Sequence, residues 1–194
     1  MITLNKYLLF FFIISFLTET KSQVQDSVMP ISAEQHWFVS LNAGMKMSGI
    51  KDEDFVSSNY SPLFNFTAGK WLSPLFALQI GYKGFYFYSI SDDLKHHYDY
   101  LYAEAALNLN NALDPERSNR DWSLLLHTGV GYFYNHSYGK PNTCVNIGFQ
   151  NTYQIANQFQ ASLDVSSIIG WDIYQGDADI LPGITLGVTY SFTF

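Results

Sequence analysis

The chain has 194 residues, of which 47% are hydrophobic, 18% aromatic and only 14% charged, with a formal net charge of −7. That length suits one domain or one small barrel behind a leader, and the negative charge without a basic stripe argues against nucleic acid as a partner. A mean hydropathy close to zero excludes a bundle of membrane helices, and the single cysteine, Cys144, excludes an intrachain disulfide framework and offers no metal cluster.

The N-terminus has the layout of an export leader. Lys6 precedes an apolar run from Tyr7 to Leu17, and Thr20 and Ser22 supply small residues for cleavage before Gln23. The run is shorter than the roughly 20 residues that span a bilayer. Residues 1–22 are therefore expected to be a signal peptide, and 23–36 a polar segment ahead of the main domain, 37–194.

From Trp37 onward apolar residues alternate with small or polar ones in segments of about ten residues, the length of a tilted membrane strand. The first, Trp37–Lys46, sets Trp37, Val39, Leu41, Ala43 and Met45 against Ser40, Asn42, Gly44 and Lys46. The second is Leu63–Lys70. After a Trp71–Pro74 turn, the third sets Phe76, Leu78, Ile80, Tyr82, Tyr86 and Tyr88 against Ala77, Gln79, Gly81 and Lys83. The fourth, Tyr98–Leu109, has helix propensity in Ala-Glu-Ala-Ala-Leu, but strict alternation and flanking tyrosines favour a strand.

A turn-rich stretch, Asn110–Asp121, leads to the fifth segment, Trp122–Tyr134, and Asn135–Asn142 reads as a loop. The sixth is Thr143–Gln154. The seventh starts near Phe159 and carries Leu163, Val165 and Ile169 opposite Ser162, Asp164 and Ser166; Trp171–Leu181 is expected to loop back to the last. From Pro182 to Phe194 the apolar face holds Ile184, Leu186, Val188, Tyr190, Phe192 and Phe194.

These segments predict an all-β fold, an eight-stranded antiparallel up-and-down transmembrane β-barrel. With both termini in the periplasm, the outer links are Met47–Pro62, Ser89–His97, Asn135–Asn142 and Asp172–Leu181. The inner ones are Trp71–Pro74, Asn110–Asp121 and Ile155–Gln158. The second inner link is long for a periplasmic turn.

A charge on the lipid face at midplane costs roughly 2–4 kcal/mol. Lys46, Lys83, Glu104, His127 and Asp164 all share the small-and-polar face, as that cost requires. Lys83, Glu104, His127 and Asp164 fall at similar heights and are expected to form a luminal charge network. Lys70 is on the oily face beside the Trp71 turn, where it can snorkel.

Catalytic signals are weak. A lipid hydrolase or acyltransferase needs a Ser–His–acid set, for which His136 with Ser137, or His127 beside Thr128, are the candidates, with Asp164 or Glu104 as the acid. Neighbouring residues rarely form such a pair. His96 and His97 would point to opposite faces of a strand and read as a solvated loop pair, and Asp172, Asp177 and Asp179 lack calcium-loop spacing and read as exposed loop charges. No metal or cofactor is expected. Tyr86, Tyr88, Tyr98, Tyr100 and Tyr102 form an aromatic cluster suited to a membrane girdle, with stacking of a ligand above the membrane open to the inward members.

The chain resembles the small eight-stranded outer-membrane barrels of the OmpA/OmpX kind, specifically the stand-alone "outer membrane protein beta-barrel domain" group of Gram-negative bacteria. The resemblance covers roughly Trp37 to Phe194, and Leu186-Gly-Val-Thr-Tyr-Ser-Phe-Thr-Phe194 carries it best. It implies residence in the outer membrane among its lipids and lipopolysaccharide. It also implies insertion by barrel-assembly machinery reading a C-terminal signal of Tyr190, Phe192 and Phe194, and it carries over no catalytic residue. The first functional expectation is a non-enzymatic barrel whose outer loops, chiefly Met47–Pro62 and Asp172–Leu181, meet a surface ligand or protein partner. Alternatives are a narrow pore or carrier for small solutes or apolar ligands, and a lipid-modifying enzyme. A soluble lipocalin-like barrel would reverse the faces.

Overall fold

The computed structural model describes residues 36–48, 59–88, 95–115, 121–171, 173 and 178–193. The expected leader, nearly all of segment 23–36, much of the 47–62 link, Asp172, Asp177 and Phe194 lie outside the described residues.

Eight strands follow in chain order: β1 (Trp37–Met47), β2 (Tyr60–Trp71), β3 (Phe76–Tyr88), β4 (Lys95–Asn108), β5 (Trp122–Asn135), β6 (Lys140–Ala156), β7 (Phe159–Trp171) and β8 (Ala178–Phe192). Each pairs antiparallel with the next, and β8 returns to β1 from Trp37↔Phe192 to Lys46↔Gly183, closing the barrel. Closure leaves no unpaired sheet edge, which a bilayer would not tolerate. One end carries the start of β1, the end of β8 and the β2–β3, β4–β5 and β6–β7 links (the terminal end); the other carries the β1–β2, β3–β4, β5–β6 and β7–β8 links (the loop end).

The period-two pattern sorts the two faces. On β8, Leu186 is 67% exposed and its neighbour Thr185 only 2%. Leu41, Ile80, Leu101, Val130, Phe149 and Val165 form the same outward apolar surface, while Ser40, Asn42, Thr67, Lys83, Glu104 and Asp164 are buried inside. The arrangement of a soluble lipocalin-like barrel is the opposite and is contradicted.

Phe85 breaks the alternation. Its place between Lys83 and Phe87 is inward, but its φ of 109° turns the ring out of the lumen, where it meets Phe64 edge-on at 4.9 Å. A bulky residue held there stores strain of about 1–3 kcal/mol.

Several ends differ from the sequence expectation because pairing sets them. The expected loop Asn135–Asn142 shrinks to residues 136–139, since the β5–β6 ladder continues to Asn135↔Lys140. Gly139 supplies the left-handed φ of 62° the turn needs. β4 begins at Lys95 and β8 at Ala178, both inside expected loops, for the same reason: Tyr88↔Lys95 and Trp171↔Ala178 keep the backbone groups paired.

The long inner link contains a one-turn helix, α1 (Leu109–Leu113), where a strand had been expected to reach Leu109. Asn108 caps it, its Oδ1 accepting from Asn111 N at 3.2 Å. Asn110 Oδ1 accepts from Leu124 N at 2.6 Å and Asn111 Nδ2 donates to Pro74 O at 2.8 Å, tying the helix across the terminal end.

Candidate functional site in the barrel lumen

Three layers fill the lumen. At the loop end, Phe87, Tyr98, Tyr100, Tyr102, Phe133, Cys144, Ile168, Ile173 and Leu181 make an apolar, mostly aromatic cluster. Tyr98 stacks on Phe133 at 4.9 Å and Tyr100 on Tyr102 at 5.4 Å. These three tyrosines are buried within the barrel, so ligand stacking above the membrane does not apply to them. At the terminal end Phe38, Ala77 and Ala106 pack together with Trp71 beside them.

Between the two lies a polar layer. The His127 ring stands between two carboxylates, Nε2 at 2.7 Å from Asp164 Oδ2 and Nδ1 at 3.1 Å from Glu104 Oε2. Carboxylate oxygens accept, so a ring that satisfies both carries a proton on each nitrogen. Lys83 reaches the same carboxylates through neutral intermediaries. Its Nζ donates to Asn146 Oδ1 at 3.0 Å and to Ser166 Oγ at 2.9 Å. Ser166 Oγ in turn donates to Asp164 Oδ1 at 2.7 Å, and Asn146 Nδ2 donates to Glu104 Oε1. Gln79 Nε2 adds a 2.8 Å bond to Glu104 Oε2. Two cations and two carboxylates thus balance, each with hydrogen bonds that replace water.

Below this group, Tyr102 OH donates to Asn65 Oδ1 at 2.5 Å and lies 3.0 Å from the Thr67 hydroxyl. Ser162 Oγ donates to Asn42 Oδ1 at 2.8 Å, and the Ser40 and Thr189 hydroxyls are 2.6 Å apart. Two adjoining cavities of about 10 and 20 Å³ share Ser40, Gln79 and Gln150 in their walls. Each holds little more than a single water.

Lys46 stands apart from Lys83, Glu104, His127 and Asp164. It is buried at the loop end with Nζ over the Tyr98 ring, 3.3 Å from its centroid. Asn146, Ser166 and Gln79 belong to the polar layer but carry no charge to single them out in sequence; their inward register was their only mark.

Of the candidate catalytic groups, His127 meets both named acids, Asp164 and Glu104, but no nucleophile joins them. Both ring nitrogens of His127 face carboxylates, and Thr128 is exposed outside, its hydroxyl donating to Asn146 O at 3.1 Å. His136 Nε2 lies 2.7 Å from Asp99 Oδ2, while Tyr82 OH donates to Asp99 Oδ1 at 2.6 Å, and Ser137 offers that pair no contact. His96 is a correction: far from solvated, it is buried and stacked on Phe87 at 5.4 Å, while His97 meets Tyr86 outside. Asp179 is another, since it is buried and its Oδ2 accepts from Ile173 N at 2.7 Å. Strand pairing drew both into the wall. Among the described residues no group of three or more His, Cys, Asp or Glu could hold a metal. Lys70 Nζ rests over Trp37 at 5.4 Å at the terminal rim. Tyr190 stacks on Phe192 at 5.7 Å and tilts against Phe159 at 5.1 Å.

No family model matches the sequence, and no curated protein is significantly similar to it. Solved structures are similar in fold. Neisserial surface protein A superposes with a TM-score of 0.57 at 10% identity, covering 80% of this chain and 97% of that one. The N-terminal β-barrel domain of Pseudomonas aeruginosa OprF gives 0.52 at 14% identity, covering 82% and 100%. Ail, the attachment invasion locus protein of Yersinia pestis, in complex with the heparin analogue sucrose octasulfate, gives 0.50 at 16% identity, covering 82% and 99%. The chain therefore has the fold of the small eight-stranded outer-membrane barrels.

Proposed function

We propose that this protein resides in the outer membrane of a Gram-negative bacterium and that its barrel is a closed, non-catalytic support for contacts made at the loop end. One observation carries the reading: the lumen is filled from the aromatic cluster at Tyr98 and Phe133, through the His127 layer, to Phe38 and Trp71. The two cavities at its middle and terminal-end levels each hold little more than a single water. This filling favours a support over a pore or carrier, which needs an open path.

In this reading both termini and α1 face the periplasm, outward side chains such as Leu186 and Ile80 meet lipid, and the loop end meets lipopolysaccharide and a surface ligand or protein. Lys83, Glu104, His127 and Asp164 hold the wall together from inside. Tyr190, Phe192 and Phe194 serve as the signal read during insertion, and residues 1–22 direct export.

The test is fractionation followed by electrophoresis with and without heating. The protein is expected in the outer-membrane fraction, extracted only by detergent and migrating faster before heating than after. Recovery as a soluble protein without detergent overturns the reading.

A further inference from the structure

The loop end of the lumen contains polar groups that the protein itself does not satisfy. Among the described residues, Lys46 Nζ, Asn59 Nδ2, Ser61 Oγ, Tyr98 OH and Thr185 Oγ1 are buried and make no hydrogen bond. The first four are not scattered. Lys46 pairs across β1–β2 with Ser61 and across β1–β8 with Gly183, while Thr185, two residues deeper on β8, lies opposite Asp164 in the polar layer. Asn59 follows one step on, its carbonyl accepting from Ser48 N at 3.3 Å. Tyr98 lies under Nζ at 3.3 Å, and Phe87 backs it at 5.2 Å.

The ammonium is only 1% exposed, and the ring faces of Tyr98 and Phe87 attract a cation without accepting its hydrogen bonds in full. Asp179, the carboxylate on the luminal face of β8 at this end, accepts from Ile173 N at its Oδ2. Lys83, the other buried cation, is engaged deeper by Asn146 and Ser166. A buried charge left unpaired is strongly unfavourable. Lys46, Asn59, Ser61 and Tyr98 share one capacity: the ammonium and the amide nitrogen can only donate, and the two hydroxyls can donate too. What such a group lacks is an acceptor of negative charge.

We propose that the loop end of the lumen binds one small free oxyanion, of the phosphate or sulfate kind, with Lys46 as its charge partner and Asn59, Ser61 and Tyr98 as hydrogen-bond donors. The donors are buried inside the wall rather than at the outer surface, which favours a free ion over a group carried on a lipid or polysaccharide. The inference goes beyond the support role and does not depend on it.

The test uses the full chain folded in detergent, with thermal midpoint and calorimetric titration measured against inorganic phosphate and sulfate at ionic strength held constant with sodium chloride. Wild type is expected to bind one ion, with a saturable rise in midpoint of several degrees. Lys46→Met, which keeps the side-chain volume, is expected to abolish both responses and to be the more stable protein when no oxyanion is present. Ser61→Ala is expected to fold normally and weaken binding several-fold. The proposal is overturned if wild type shows no saturable response, as it would with a neutral Lys46 or with water satisfying the donors. It is overturned equally if Lys46→Met responds as wild type does. Should Lys46→Met fail to fold, unchanged affinity in both Ser61→Ala and Asn59→Leu overturns it.

Discussion

His127 Nε2 stands 2.7 Å from Asp164 Oδ2, a contact between β5 and β7 across the intervening strand β6. Removing the Asp164 charge leaves His127 and Lys83 with one carboxylate between them. Asp164→Asn is therefore expected to destabilise the folded barrel by about 3 kcal/mol, the penalty for breaking a buried pair. His127→Gln in the same chain should restore part of that loss. Urea titration of the electrophoretic folded fraction checks both; equal stability of wild type and Asp164→Asn contradicts a network that holds the wall.

Two glycines in the wall differ in what their missing side chains make room for. A Cβ at Gly84 would meet the Tyr82 phenol, which reaches past it to Asp99. A Cβ at Gly129 would meet Ala103 O and Glu104 Cα, which are backbone and cannot turn away. Gly84→Ala should cost about 1–2 kcal/mol, much of it recovered by adding Tyr82→Ala, whereas Gly129→Ala should cost about 3 kcal/mol or prevent assembly. Thermal midpoints of the four proteins decide, and equal effects at the two glycines contradict the packing.

How much of this could be read in the sequence follows from which interactions are local. Alternation at period two is a property of a single strand, so Leu186 outward and Thr185 inward were legible from residues 182–194 alone. Strand ends were not. Lys140 is in a strand because Asn135 lies opposite it, and nothing near Lys140 announces that. The inward register of Lys46 was legible too, but its aromatic cradle comes from Phe87 and Tyr98 on β3 and β4, far away in sequence. Phe85 was opaque for a different reason: its outward turn is a backbone event at one residue, with no glycine to signal it.

The outward position of Leu186 makes a further prediction. It pairs with Ala43 on one side and Leu163 on the other, within the exposed apolar surface. Leu186→Arg should cost roughly 2–4 kcal/mol in a bilayer by placing a guanidinium in lipid. Unfolding in urea from lipid vesicles measures it, and a change under about 0.5 kcal/mol, typical of a solvated surface site, contradicts the assigned face.

Cys144 is 1% exposed, packed where Gly170 and Ile173 close over the lumen. A maleimide should leave it unmodified for hours in the folded protein and label it fully once the barrel is heat-unfolded. Mass spectrometry reads the result. Rapid labelling of the folded protein would mean that the loop-end cluster admits solvent.

The central claim is that the barrel is closed, and recording across a planar bilayer tests it most directly. With the folded full chain inserted, the account predicts no discrete current steps, because Phe133, His127 and Phe38 occupy successive levels of the same lumen. Reproducible unitary conductance from the wild-type protein, lost when the barrel is unfolded, would contradict it.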